Sequence, residues 1–211
     1  MFAYCGNNPI MGYDPTGEIN WKGFWAGVAI AAVGVAIVAA TILTAGAVAV
    51  AATAVATAVG VAVTATGVVT AYGAATEKPI VFDASVTDGS TRDKHGYSAV
   101  VDFDSDSVGI DVYYHYGKTS SSYAASYGTG VVENYTGPGG YGGPFADING
   151  TYTFKGFDYG IDVCADPNAP FSGCWAALFT VGASFPSNKN GKLDANYGVD
   201  YFVPLMYIEW G

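Results

Sequence analysis

Charged residues are missing from one long stretch of this sequence. From Gly23 to Thr76 there are 54 consecutive residues without an Asp, Glu, Lys or Arg, and most of them are Ala, Val, Gly and Thr. A helix with no charged side cannot turn one face to water as surface helices do, and about 20 apolar residues are enough to cross a bilayer. The stretch predicts one or, given its length, two membrane-inserting helices through residues 24–70. The alternative is a Gly- and Ala-rich spacer packed inside a larger protein shell.

Positive charge is also scarce. The chain has 8 Lys and Arg residues against 18 Asp and Glu residues, a net charge of −10, and Arg92 is its one arginine. A surface that binds nucleic acid is normally basic, because cationic side chains must replace the counterions condensed on the phosphates. The composition therefore excludes sustained DNA or RNA binding. Because the same acidity opposes docking on anionic lipid, any contact with a lipid bilayer is expected to come from the uncharged stretch.

Histidine and cysteine are too few for the common metal sites. His95 and His115 are the two histidines, and the three cysteines form no C-x-x-C pair, which excludes a multi-His or Cys-rich zinc site. Asp102, Asp104 and Asp106 alternate as in a calcium loop, but an EF-hand needs Gly and Glu at the positions of Ser107 and Tyr113. No metal site, cofactor or catalytic residue is predicted.

Two of the cysteines could pair with each other. Cys164 and Cys174 enclose nine residues between two predicted strands, a spacing that suits a disulfide in an oxidising compartment. Lone cysteines are more often inert core residues, which is the alternative.

One polar cluster stands out. Arg92, Asp93, Lys94 and His95 bring cations, a carboxylate and a base together, a combination that a ribonuclease or phosphodiesterase could use. An ordinary surface loop explains the same residues. The sequence therefore leaves enzymatic activity open, leaning against it.

From Ile80 onward the residue pattern of the sequence is different. It consists of short alternating runs rich in Val, Tyr, Thr and Phe, separated by Gly, Asn, Asp and Pro. Such runs predict six to nine antiparallel strands in a sandwich or small barrel. In residues 108–116 the even positions would share one face and the odd positions the other. The whole chain would be α+β in separate parts, with boundaries at residues 1–20, 21–77 and 78–211.

The first twenty residues carry a distinctive pattern. F-A-Y-C-G-N-N-P-I, followed by D-P-T-G, resembles the end of the RHS (YD-repeat) associated core. In that family a hollow β-shell precedes a variable C-terminal region, which is commonly a toxin, and the junction can undergo self-cleavage. The matching junction residues are Pro9, Asp14, Pro15 and Gly17, whereas Glu18 stands where the family has Leu.

The resemblance and the uncharged stretch together favour a toxin-like effector tip that inserts into a membrane. Two other functions stay open: an enzymatic toxin in the β-domain whose hairpin aids translocation, and a membrane-anchored β-domain that binds glycan or protein. The implied partners are a lipid bilayer, the upstream RHS shell of the same polypeptide and an immunity protein. The implied location is secreted or at the cell surface, associated with a membrane.

Overall fold

A computed structural model of the chain describes residues 19–44, 50–88, 90–103, 107–120, 123–154, 157–169, 172–184, 191 and 193–210. The RHS junction residues Pro9, Asp14, Pro15 and Gly17 lie outside the described residues, so their role stays a prediction.

The uncharged stretch forms two helices, α1 (Trp21–Thr44) and α2 (Val50–Thr76). They pack tightly against each other. A Cβ atom added to Gly67 would lie 2.1 Å from the backbone nitrogen of Ala31, and one added to Gly27 would lie 2.3 Å from that of Ala71. Because neither glycine has a side chain, the two backbones can touch, as they do between membrane helices rich in small residues.

Hydrogen bonds hold the ends of the two helices together and satisfy threonine hydroxyl groups of α2. Asn20 caps α1, since its Oδ1 accepts a 2.8 Å hydrogen bond from the Gly23 nitrogen. The Asn20 nitrogen donates to the Ala74 carbonyl at 3.1 Å and so ties the start of α1 to the end of α2. Threonines of α2 donate to carbonyls one turn earlier, for example Thr70 to Thr66 at 2.8 Å, which leaves fewer hydroxyl donors in need of water.

Eight antiparallel strands follow the helices: β1 (Ile80–Thr87), β2 (Asp93–Phe103), β3 (Val108–Thr119), β4 (Tyr123–Glu133), β5 (Gly143–Phe154), β6 (Phe157–Ala165), β7 (Trp175–Ser184) and β8 (Leu193–Trp210). They pair in the order β1-β2-β3-β8-β5-β6-β7-β4, and β4 pairs back with β1 to close the sheet. The predicted all-β antiparallel region is confirmed, and its architecture is a closed barrel rather than a sandwich.

The helix pair lies against the outside of the barrel. Helix α2 contacts β4 most extensively and also reaches β1, β2 and β7. Its Thr66 hydroxyl is 2.7 Å from the Tyr127 hydroxyl on β4. Ala74 packs in a buried apolar cluster with Ile80 and Phe103. Helices and barrel therefore form one packed unit.

A substitution at the helix contact tests this packing. Gly67→Val places side-chain atoms where the Ala31 backbone now lies, so we expect the free energy of unfolding to fall by about 1–3 kcal/mol. Val68→Leu is the matched control, because Val68 is 56% exposed. Denaturant titration followed by far-UV circular dichroism measures both. Equal, small effects at the two positions would contradict the close contact.

Candidate functional site

The inner face of the barrel carries polar and charged side chains beside an apolar cluster that includes Val81, Val100 and Leu178, whereas the outer face is mostly apolar. Strand β3 shows the pattern. Asp111 and His115 are buried and point into the barrel, whereas the alternate residues Val112 and Tyr116 point outward, Tyr116 being 45% exposed. Successive side chains of a strand point to opposite faces, and in a soluble protein the buried face is normally the apolar one. Here that polarity is reversed.

Strands β5 and β6 repeat the reversal. Asp147 and Asn149 of β5 are buried on the lumen side, and Asn149 pairs across the sheet with Asp162 of β6. The outward neighbours Ile148 and Ile161 are 69% and 64% exposed. Apolar side chains near the middle of both strands are thus the ones that face away from the protein.

Charged side chains meet inside the barrel. Lys94 Nζ donates a 2.6 Å hydrogen bond to Asp200 Oδ2, and the two side chains are only 13% and 4% exposed. His115 has no exposed surface, and its Nε2 lies 2.8 Å from Asp83 Oδ2. Ser98 Oγ donates to the same Asp83 oxygen at 2.6 Å. These contacts connect β1, β2, β3 and β8 across the lumen.

A small cavity lies beside these charges. Four oxygen atoms around it are buried without a hydrogen-bond partner among the described residues: Oδ1 of Asp147, Asn149, Asp162 and Asp200. The cavity measures about 40 Å³. That volume fits a few water molecules but is far below the roughly 300–1,000 Å³ of typical ligand pockets. Within the described part of the chain, no group of three or more His, Cys, Asp or Glu residues is arranged to hold a metal ion.

Aromatic rings close the lumen beside the loop 134–142. The Tyr141 ring comes from this loop, and its centroid lies 4.8 Å from that of Phe145 and 4.9 Å from that of Phe202. Tyr113 packs edge-on against Tyr141 at 5.7 Å. The cavity therefore ends on an aromatic layer, and the described residues form no wide passage through the barrel.

Asp111 holds the loop in place. Its Oδ2 accepts hydrogen bonds from the Gly139 nitrogen at 2.6 Å, from Tyr135 Oη at 3.1 Å and from Tyr113 Oη. Burial, together with Tyr113 and Asp111 nearby, raises the pKa of Tyr135, so this hydroxyl keeps its proton and remains a donor. One carboxylate thus fastens the loop that carries the Tyr141 ring.

The outer face is uncharged between the strand ends. On the described strands, the charged side chains of this face are Asp93, Lys118 and Glu133, all within one residue of a strand end. Lys118 Nζ donates to Asp93 at 2.7 Å. Lys78, just before β1, donates to Glu133 at 2.5 Å, and this hydrogen bond raises the pKa of Lys78. Large apolar side chains of the strands are exposed on the same face: Val86, Tyr97, Tyr116, Ile148, Tyr152, Phe154, Ile161, Leu193, Tyr197, Val199, Tyr201, Met206, Ile208 and Trp210.

All four tryptophans of the chain lie at one end of the molecule. Trp21 and Trp25 are in the first two turns of α1, Trp175 begins β7 and Trp210 ends β8. We call this end, where α2 finishes and β1 begins, the tryptophan end. Tryptophan is enriched where a protein crosses from lipid to water, because its ring is apolar and its N–H is polar.

The structure separates the polar cluster of residues 92–95. Arg92 is in the turn before β2 with φ 64°. Asp93 bonds Lys118 at the rim, and Lys94 points inward to Asp200. His95 points outward, with Nδ1 2.8 Å from the Tyr114 hydroxyl. Alternation along β2 therefore sends neighbouring members to opposite faces, and they do not converge as catalytic groups must.

The two cysteines are free thiols in this structure. Cys164 is buried, and its Sγ lies 3.2 Å from the Tyr141 hydroxyl. Cys174 is partly buried, which raises its pKa to about 12. The disulfide between them stays a prediction for oxidising conditions.

No family model, curated protein or solved structure matches this chain. The functional interpretation therefore depends on the outward apolar face of the barrel and on the uncharged stretch of residues 23–76 that forms the helix pair.

The lumen ion pair gives a direct test of the barrel interior. Lys94→Met leaves Asp200 buried without its cation, so we expect unfolding free energy to fall by about 3–5 kcal/mol. The control is Lys118→Met, which removes the exposed pair with Asp93, and exposed pairs contribute little. Denaturant titration compares the two variants. If the two variants lose stability equally, the Lys94–Asp200 pair is not buried in the lumen.

Proposed function

We propose that this chain is the toxin-like effector tip of an RHS-repeat protein and that it inserts into a membrane through residues 24–70. The observation that carries the proposal is the helix pair, whose sequence has no charged residue after Lys22 in the first turn of α1. Within the described residues, Ala56–Thr76 is long and apolar enough to cross a membrane. Burying such a surface in hydrocarbon avoids exposing it to water.

The contact between the helices supports the same proposal. Lipid tails are as apolar as leucine side chains, so helices in a bilayer associate mainly through close packing of small residues. The close approaches at Gly27 and Gly67 are of this kind. Helix α2 also has exposed valines, Val59 at 49% and Val68 at 56%. These faces are suited to lipid.

The resemblance of the first residues supplies the biological setting. An RHS tip would be delivered with the upstream shell of the same polypeptide and would act on the membrane of a target cell, from a secreted or cell-surface position. An immunity protein in the producing cell is the partner that such an effector implies. The acidic composition, net −10, argues against nucleic acid as the target.

An enzymatic toxin receives less support. Of its candidate residues, Arg92 lies in the turn before β2, and Lys94 and His95 point to opposite faces of that strand. The lumen cavity, at about 40 Å³, is smaller than a substrate pocket. Catalysis in the β-domain would need a site outside these two places.

One observation favours a second candidate, a membrane-anchored β-domain that binds glycan or protein. Aromatic rings line up on the outer face of β2, β3 and β8: Tyr97 to Tyr114 at 5.5 Å, Tyr114 to Tyr116 at 6.1 Å, and Tyr116 to Tyr201 at 5.8 Å. Such rows can stack on sugar rings or enter an interface. Glycan-array binding that is lost in Tyr116→Ala would support this candidate.

Charge substitutions on α2 test membrane insertion. Asp in place of Val59 and Val68 should each oppose insertion by about 2.5–3.5 kcal/mol. We expect the double variant to be less abundant than the parent in the carbonate-resistant membrane pellet and to lose membrane depolarisation during induced expression in bacteria. The double Asn variant is the matched control and should keep most of both properties, because it adds polarity without charge. His95→Ala should change neither.

Both valines are exposed, so Asp at these positions would leave a water-soluble protein almost unaffected. A parent chain that is wholly soluble, or an Asp variant that fractionates and depolarises like the parent, would contradict the proposal. Activity that survives the Asp substitutions but disappears in His95→Ala would favour the enzyme.

A further inference from the structure

We infer that the barrel itself spans a lipid bilayer, with acyl chains against its outer face. This goes beyond the proposed function, which needs only the helix pair in the membrane, and the two are separable by experiment.

The first reason is the reversed polarity. Lys94, Asp200 and His115 face the lumen, while Ile148 and Ile161 face outward with more than half of their surface exposed. Water as the outer solvent would favour the opposite arrangement. Strands that alternate polar residues inward and apolar residues outward are the signature of a transmembrane barrel.

The second reason is that the apolar surface forms a belt rather than a patch. Helix α2 covers parts of β1, β2, β4 and β7, and the helix pair is uncharged beyond Lys22 in its first turn. The outward face of β5 and β8 is largely exposed, that of β3 and β6 is partly exposed, and all four are uncharged between the strand ends. A docked protein would be expected to cover one side, whereas a bilayer surrounds the whole circumference. Lipid is therefore the occupant that fits the surface.

The third reason is geometric. Lipid offers no hydrogen bonds, so a sheet can cross it only when closed, and this sheet is closed. A transmembrane strand needs about 9–11 residues when tilted by about 45°. The strands here are 8 to 18 residues long. The sheet is closed, seven strands have 9 residues or more, and β1, with 8, is one residue short of this range.

The fourth reason is the placement of polar and aromatic groups along the barrel. Trp175 and Trp210 mark the tryptophan end, and the Lys78–Glu133 ion pair lies at the same end. The Asp93–Lys118 pair lies at the opposite end. Charges at both rims with an uncharged belt between them match two water interfaces and one hydrocarbon layer.

Site-directed spin labelling of the full chain in phosphatidylcholine vesicles tests the inference. Labels are placed singly at Ile148 and Ile161 on the belt, at Val68 on α2 and at exposed Asp88 in a loop, in a background with the native cysteines replaced by Ser or Ala. We expect the two belt labels to collide more with dissolved oxygen, which concentrates in lipid, than with a water-soluble nickel chelate. Asp88 should show the reverse.

The Val68 label separates the two proposals. If Val68 reports lipid while Ile148 and Ile161 report water, only the helix pair inserts and the inference is wrong. If all three report water, the proposed function fails as well. Far-UV circular dichroism of each labelled protein must show the strand spectrum of the parent, which ensures that the labels report a folded barrel.

A pair of lysine substitutions gives an independent readout. Ile161 is the central residue of β6 and Leu193 begins β8, and both are highly exposed, at 64% and 78%. In a bilayer, Ile161→Lys should lower the equilibrium constant for folding into vesicles by about thirtyfold or more, and Leu193→Lys by much less. Two equally small effects would show that water, not lipid, contacts the belt.

Discussion

Closure of the eight strands around a charged interior is the constraint on which the rest of this structure depends. Once a sheet closes, each strand has one face in the lumen and one face outside. Lys94, Asp83, His115 and Asp200 share the inner face and lie in contact there. Because period-2 alternation then sends Val, Ile and Tyr outward, the pairing of charges inside leaves an apolar outer face.

The lumen is full rather than open. A barrel of eight strands has an interior just wide enough for side chains, and here a polar section with a small cavity adjoins an aromatic layer of Tyr141, Phe145 and Phe202. Asp111 fastens the loop that supplies the Tyr141 ring. The described lumen therefore holds no ready-made wide channel.

Helices and barrel satisfy their backbone groups in different ways. The helix pair relies on Gly27 and Gly67 for backbone contact, and Asn20 joins its two ends. The barrel satisfies its backbone through strand pairing all the way round. The Thr66–Tyr127 contact, at 2.7 Å, is a polar link between them on the covered side. Both parts therefore present apolar surfaces whose charged residues lie near the ends: Lys22 on α1, and Asp93, Lys118 and Glu133 on the barrel.

Much of the fold could be predicted from local patterns. The lack of charge in residues 23–76 indicates helices without a water-facing side, and the alternation in residues 108–116 assigns the two faces of β3 correctly. The alternation has the same period whichever face points inward, so the reversed polarity could not be recognised from one strand. Lys94 and Asp200 lie 106 positions apart. Their ion pair depends on barrel closure, for which no local signal exists.

The cluster at residues 92–95 shows a second limit. Adjacent polar residues suggest a common site when the segment is assumed to be a loop. Strand β2, however, begins at Asp93, and alternation along the strand sends neighbouring side chains to opposite faces. Nothing in the residue types distinguishes the two cases. The deciding information is the register of β2 against β3, which pairs Asp93 with Lys118.

The most direct measurement of the central claim uses the tryptophans that the chain already has. In Trp21→Phe/Trp25→Phe, the remaining two belong to the barrel, Trp175 and Trp210. Vesicles are prepared with lipids brominated near the headgroup or near the chain ends, and bromine quenches tryptophan fluorescence at close range. A barrel that spans the bilayer predicts strong quenching by the shallow bromines and weaker quenching by the deep ones. Quenching by aqueous iodide alone, with no effect of bromine at either depth, would contradict the account.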